Sequence, residues 1–272
     1  MSEAVAKFPS EAHFDFRELL ESGERLKSNA GIIIICGEAG TGKTTLSKNL
    51  APFIVRSSDG LIQTGQIVRK TRKEYPNMDP LEIDKIVDVE QGEIIRKANP
   101  EDPVILEGRL AGMLASQEKT ENPFTPAFSI ILTASEKVRF DRMITRYFEE
   151  NPNELESLSV SQIAKAKQQK RNTIMEEERQ RAKDDFKRWT ELYPTILTGN
   201  PFNPHYKDCR GKRIYDLSVN VNTLQPEETL ATVINRMLNL KILARVKEGE
   251  EKIAFPLNGI IFKREPNKET TS

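Results

Sequence analysis

The hydrophobic positions of this chain fall into short unbroken runs, separated by longer stretches in which apolar residues recur among charges. The strongest run is GIIIICG, residues 31–37, apolar on both faces as a strand in the middle of a parallel sheet must be. Val104-Ile-Leu106 and Phe128-Ser-Ile-Ile-Leu132 repeat the pattern. Leu217-Ser-Val-Asn-Val221 carries it more weakly, and Leu61-Ile-Gln-Thr64 is a short fifth candidate. Helix-like stretches lie between them. Thr44–Val55 follows a glycine-rich turn, and Leu81–Ala98 places Ile83, Ile86, Val87, Ile94 and Ile95 among charges. Ser135–Phe148 opens on a serine suited to cap it, with Val138 as an early apolar position. Strands alternating with helices over crossovers of this length predict an α/β fold with a central parallel sheet flanked by helices in three layers.

Residues 159–193 contain neither Gly nor Pro and are rich in good helix formers, which predicts one long helix. Its few apolar residues give it little to bury, so it is expected to project from the core. Residues 1–29 are mixed and charged, with Phe14–Leu20 a candidate short helix, and read as an N-terminal extension. The main domain is expected over 30–238. A C-terminal extension, 239–272, carries an apolar patch, Ala254–Phe262, and then a charged tail.

The totals narrow the field. The chain has 272 residues, 37% hydrophobic and 30% charged, which suits a soluble globular protein. Lys plus Arg and Asp plus Glu each number 41, so no global field draws it to nucleic acid or an acidic membrane, and anion binding must be local. No stretch approaches the roughly 20 apolar residues that cross a bilayer, and the N-terminus lacks a signal peptide's apolar core. Cys36 and Cys209 are far apart and form no metal or redox pair, as expected in a reducing cytoplasm.

Candidate chemistry begins where the first strand ends. Residues 37–44, GEAGTGKT, match G-x-x-x-x-G-K-[ST] between a buried strand and a helix, the setting of a phosphate-binding loop. Glycines let the backbone wrap a phosphate, and N–H groups at the helix start then face it. The expected ligand is ATP, held by Gly37, Glu38, Ala39, Gly40, Thr41, Gly42, Lys43, Thr44 and Thr45. Lys43 should reach the β- and γ-phosphates, and the Thr44 hydroxyl should ligate Mg²⁺. Glu38 adds a negative charge at one of the variable loop positions. The fold expected is that of a P-loop NTPase.

Downstream residues point to a reaction. Gln63-Thr64-Gly65-Gln66-Ile67-Val68-Arg69 resembles the T-G-x-x-x-R turn of nucleoside monophosphate kinases. The resemblance implies that Arg69, with Thr64 and Gly65, grips the phosphate of an acceptor nucleotide. Val104-Ile-Leu-Glu107-Gly108-Arg109-Leu-Ala-Gly112 resembles the L-E-G-R-L-A-G signature of the cytidylate kinase family, particularly its archaeal-type branch. By that resemblance Glu107 is a metal-side carboxylate and Arg109 an acceptor-phosphate ligand. The family's basic helical lid has its counterpart at about 150–213, with Arg181-Ala-Lys-Asp-Asp-Phe-Lys187-Arg188-Trp189 and then Tyr215-Asp216-Leu217. Arg181 and Arg188 are seven residues apart and share a helical face to within about 20°, so both can reach one transferring phosphoryl group.

The similarity spans roughly residues 30–235 and implies an ATP-dependent kinase acting on CMP or dCMP. Lys43, Arg109, Arg181 and Arg188 are its expected catalytic cations, and ATP and Mg²⁺ its cofactors. Small-molecule nucleotides are the expected partners, without nucleic acid or membrane; oligomeric state is left open. Another small-molecule kinase, or a nucleotide-binding regulator with little catalysis, are the competing readings. Pro194–Arg213 is longer than the family's aspartate-rich connection and carries Pro201, Pro204, His205 and Cys209. It is expected near the donor base or the lid. The residues that read the acceptor base are not assignable within Thr71–Asp88.

Overall fold

The computed structural model describes residues 25–246, apart from 123–124, 157–158, 195, 198 and 209–210. The candidate helix at Phe14–Leu20, the patch at Ala254–Phe262, and Cys209 lie outside the described residues.

Five parallel strands form the sheet, in the order β3-β4-β2-β5-β6. They are β2 (Ile32–Gly37), β3 (Leu61–Gln63), β4 (Val104–Glu107), β5 (Ala127–Thr133) and β6 (Leu217–Asn220), so each of the five apolar runs is a strand. The most apolar run lies at the centre, where both faces are covered. Ile32, Ile33, Ile34 and Ile35 are all fully buried, each contributing about 2 kcal/mol of hydrophobic stabilisation. Alternation divides them: Ile33 and Ile35 enter the core on one face, Ile32 and Ile34 that on the other. The first core is closed by α1 (Lys43–Ile54) and α7 (Pro226–Asn239), through Leu50, Phe53, Val233 and Met237. The second is closed by α4 (Ala111–Glu121), through Met113 and Leu114. Three layers result.

The other helices are α2 (Thr64–Glu74), α3 (Pro80–Arg96), α5 (Glu136–Glu150) and α6 (Val160–Leu192). Asp79 caps α3, accepting from Leu81 N at 2.8 Å, and Ser135 caps α5 by accepting from Val138 N at 3.4 Å. Among the described residues no helix is long and apolar enough to cross a membrane.

Three expectations need correction. The boundaries near residues 29 and 239 cut through structure: β1 (Leu26–Ser28) pairs antiparallel with β7 (Leu243–Arg245). Leu26 and Leu243 are buried in the domain core, so the described parts of both extensions belong to it. Next, α6 does not simply project. Ile174 is buried against Phe140, Ile144 and Phe148 of α5, and Trp189 is buried in the second core. A polar helix needs only isolated anchors when its arginines and carboxylates also find partners. Finally, the segment after α6 folds down onto the sheet, with Leu197, Tyr206, Ile214 and Tyr215 buried in the second core. None of its described residues lines the main cavity, and Phe202 packs on Trp189 of α6, so of the two places expected for this segment it takes the one beside that helix.

Candidate active site

A cavity of about 1590 Å³ opens at the carboxyl ends of the parallel strands, where open α/β sheets bind ligands. A single small-molecule pocket occupies about 300–1,000 Å³, so this one has room for two. The phosphate loop forms one end and α2 with α3 the other. The end of β4 and α6 stand between them.

The loop conformation explains its glycines. Gly40 and Gly42 have φ of 79° and 87°, the left-handed region that side chains disfavour. A Cβ at Gly40 would also lie 2.5 Å from the Arg139 carbonyl oxygen. Gly42 then caps α1, leaving the first N–H groups of that helix facing the cavity with its positive dipole end. Lys43 is 8% exposed, and its Nζ donates to the Glu38 carbonyl at 2.8 Å. Burial pushes its pKa down to about 8, against the opposing pull of Glu107. A desolvated ammonium of this kind stabilises an incoming anion strongly.

Ala39 through Thr45 line the cavity; Gly37 and Glu38 do not. The Glu38 carboxylate instead pairs with Arg139 of α5 at 3.1 Å, so its charge is met by a cation outside the cavity lining. Arg139 Nη1 also donates to the Ala39 carbonyl at 3.3 Å. Arg139 therefore braces the loop from behind. Nothing local in the sequence pairs residue 139 with residue 38.

Thr44 and Glu107 come together. The Thr44 hydroxyl lies 3.1 and 3.0 Å from the two Glu107 oxygens, and Gln63 Nε2 donates to Oε2 at 3.1 Å. The β3–β4 and β2–β4 registers set this meeting, with Gln63 and Ile35 both level with Glu107. A hydroxyl beside a carboxylate fits Mg²⁺, a hard cation that takes oxygen ligands and keeps several waters. Among the described residues no group of three or more His, Cys, Asp or Glu could hold a metal unaided. The remaining ligands would thus be waters and substrate phosphates, as Mg²⁺ prefers.

At the far end Thr64, Gly65 and Arg69 line the cavity, on the first two turns of α2. Opposite them α3 presents Asp84, Asp88 and Gln91, to which the sequence alone assigns no role. Their spacing of four and three places them on one helical face, the signal that could have found them. Between the ends sit the expected cations Arg109, Arg181 and Arg188. All three lean on Asp185 of α6, another residue that no sequence motif marks. Arg109 Nη1 donates to Asp185 Oδ2, Arg188 Nη2 donates to Oδ1 at 2.5 Å, and Arg181 Nε is 3.9 Å away. Arg188 Nε also reaches Asp84 at 2.6 Å, and Arg181 reaches Glu178 at 3.2 Å. The Arg109 guanidinium lies 5.4 Å from the ring centres of both Trp189 and Phe202, within cation–π range. Phe202 is thus how the long connection after α6 supports the site.

A family model described as an AAA domain matches residues 33–165. The cytidylate kinase of Haloarcula marismortui is 28% identical over 211 residues, covering 75% of this chain and 88% of its own. The cytidylate kinase of Methanopyrus kandleri is 29% identical over 213 residues, covering 74% and 89%. A solved structure of an uncharacterized protein from Eubacterium ventriosum overlays 78% of this chain and 97% of its own, at 15% identity and a TM-score of 0.41.

The five-stranded parallel sheet, with a glycine loop leaving its central strand and a helix rising behind, defines a P-loop NTPase fold. Within that class the chain is similar to archaeal cytidylate kinases, which match it at 28–29% identity over about three-quarters of its length.

Proposed function

We propose that the protein is an ATP-dependent nucleoside monophosphate kinase that converts CMP or dCMP to the diphosphate. One observation carries the reading: a single cavity joins a phosphate loop at one end to a T-G-x-x-x-R turn at the other, with Arg109, Arg181 and Arg188 between. The archaeal relatives, named as cytidylate kinases, support the acceptor assignment.

In the proposed reaction a phosphate oxygen of the acceptor attacks the γ-phosphorus of ATP, the bond to the bridging oxygen breaks, and ADP leaves. The acceptor oxygen is already ionised, so no base or covalent nucleophile is required. What the protein supplies is alignment and positive charge around the equatorial oxygens. The loop from Ala39 to Thr45 holds the donor phosphates, and Lys43 faces the transferring group. Arg69, with Thr64 and Gly65, holds the acceptor phosphate, and Arg109 stands at the junction. Arg181 and Arg188 bring two more guanidinium groups from the lid, α6. Thr44 and Glu107 would hold Mg²⁺, which when bound neutralises and orients the donor phosphates.

ADP release should be measured with ATP, Mg²⁺ and a panel of nucleoside monophosphates alongside the matching nucleosides. Stimulation by CMP or dCMP, but not by cytidine, is expected. Absence of stimulation by any monophosphate would overturn the reading. Arg69→Ala should raise the KM for the monophosphate by about tenfold, the loss of one charge-assisted contact.

A further inference from the structure

A cation that is to meet a phosphate must keep its charge, yet a guanidinium on a long side chain must also be held still. The two demands conflict at Arg109. Its Nη1 donates to Asp185, and its Nε is buried with no hydrogen-bond partner among the described residues. One such bond lets the guanidinium pivot about it. Asp185 is shared with Arg181 and Arg188, so the cluster keeps a net positive charge. A second carboxylate would stop the pivot, but it would also cancel that charge and take up donors that phosphate oxygens need.

The rings of Trp189 and Phe202 meet both demands. Each ring centre lies 5.4 Å from the Arg109 guanidinium carbon, and the two rings pack edge to face at 6.2 Å. A ring face attracts a cation through its quadrupole and carries no net negative charge. Burial lowers the Arg109 pKa, with Asp185 opposing the fall. Ring faces offset the same desolvation without neutralising the group.

Trp189 belongs to α6, but Phe202 comes from the long connection after it, and that connection is tied down where the ring leaves it. Phe202 N donates to Asn200 Oδ1 at 2.9 Å, closing a turn, and the Tyr215 hydroxyl donates to the Pro201 carbonyl at 2.5 Å. The Tyr206 hydroxyl donates to the Ile196 carbonyl at 2.8 Å, and both tyrosines are buried in the second core. Tyr215 also packs on the L-E-G-R-L-A-G stretch itself, since a Cβ on Gly112 would lie 2.7 Å from its Cε1. One tyrosine thus fixes the Phe202 turn relative to the segment that carries Arg109.

We infer that Phe202 is a positioning residue for phosphoryl transfer: with Trp189 it clamps the Arg109 guanidinium by its ring face, aiming it at the acceptor phosphate with its charge intact. The long connection between α6 and β6 serves to deliver that ring. This inference rests on the proposed kinase reaction, in which Arg109 meets the acceptor phosphate.

The test replaces Phe202 with phenylalanines that carry one, two and three ring fluorines. Fluorine draws electron density from the ring face and barely alters its size, so the attraction for a cation falls stepwise while packing persists. The kcat/KM for CMP should fall with each added fluorine. Phe202→Leu, which has no ring, should lose roughly 5- to 30-fold, the equivalent of one desolvated cation–π contact. The KM for ATP should stay unchanged throughout, because the phosphate loop is untouched. A ring that only fills space would give no fluorine trend. A flat series, or Phe202→Leu as active as the wild type, overturns the role of Phe202 while turnover by the wild type stands. No turnover on any monophosphate by the wild-type protein overturns the kinase reading and this inference with it.

Discussion

Arg109 and Asp185 meet in the interior of the site, their side chains only 15% and 10% exposed, with Arg109 Nη1 donating to Asp185 Oδ2. The same carboxylate accepts from Arg188 at 2.5 Å and lies 3.9 Å from Arg181. One negative charge therefore gathers guanidinium groups from the end of β4 and from two turns of α6. It keeps them near one another, as an anionic phosphate would when bound.

Removing that charge leaves buried cations facing each other. Asp185→Asn should lower the unfolding free energy by about 3 kcal/mol, the usual cost of breaking a buried pair from one side. Urea denaturation reads it as a lower midpoint at unchanged slope. Inorganic phosphate should restore more stability to the variant than it adds to the wild type. A variant as stable as the wild type would show that the pair is energetically neutral.

Lys43 poses the opposite case. It is a buried ammonium whose side chain donates to the Glu38 carbonyl and whose pKa burial lowers to about 8. Lys43→Met removes a desolvated charge, so the free protein should be no less stable. Its thermal stabilisation by ATP should shrink sharply, and kcat/KM should fall by roughly 100-fold or more, as for loss of one preorganised electrostatic contact. Differential scanning calorimetry with and without ATP separates the two effects. An unchanged shift on adding ATP would remove Lys43 from the nucleotide site.

Much of the fold and the loop end of the candidate site is legible in the sequence, for a physical reason. Central parallel strands are apolar on both faces, so Ile32–Cys36 declares itself locally, and the phosphate loop packs its chemistry into eight consecutive residues. The helix α2 shows in the sequence only as a turn, because it buries just Ile67 and Thr71. What stays hidden depends on distant partners. Asp185 is 76 residues from Arg109, Tyr193 is 105 from Asp88, and Arg139 is 100 from Ala39. The docking of α6 escapes for the same reason: one isoleucine, one tryptophan and a set of ion pairs leave no periodic stripe.

Glu107 ends β4 where Thr44 of α1 and Gln63 of β3 converge on its carboxylate. Glu107→Gln keeps the shape and removes the charge. It should raise the Mg²⁺ concentration needed for half-maximal activity by about tenfold while changing the KM for the acceptor little, since a carboxylate contributes to the cation and not to the acceptor. A Mg²⁺ titration at fixed ATP reads this directly. An unchanged Mg²⁺ requirement would place the cation elsewhere.

Asp88 gives the pH dependence a definite sign. Its carboxyl rises from an ordinary 3.8 to about 6 in the folded protein, chiefly through burial. Between those values the folded protein keeps a proton that the unfolded chain has released. The stabilisation from this group is therefore complete below about pH 4 and is lost as pH rises through about 6. Asp88→Asn has no such proton, so the stability of the wild type relative to the variant should decline across that window. Denaturant unfolding at constant ionic strength measures it, and a difference that stays flat with pH would contradict burial as the cause.

Transfer of a phosphoryl group between two nucleotides in one cavity is the proposed reaction. It is tested most directly with ATP labelled by ¹⁸O in the γ-phosphoryl group, incubated with CMP, Mg²⁺ and the protein, with products read by mass spectrometry. CDP that carries the label, formed one for one with ADP, is the expected product. Labelled inorganic phosphate with no CDP would contradict it.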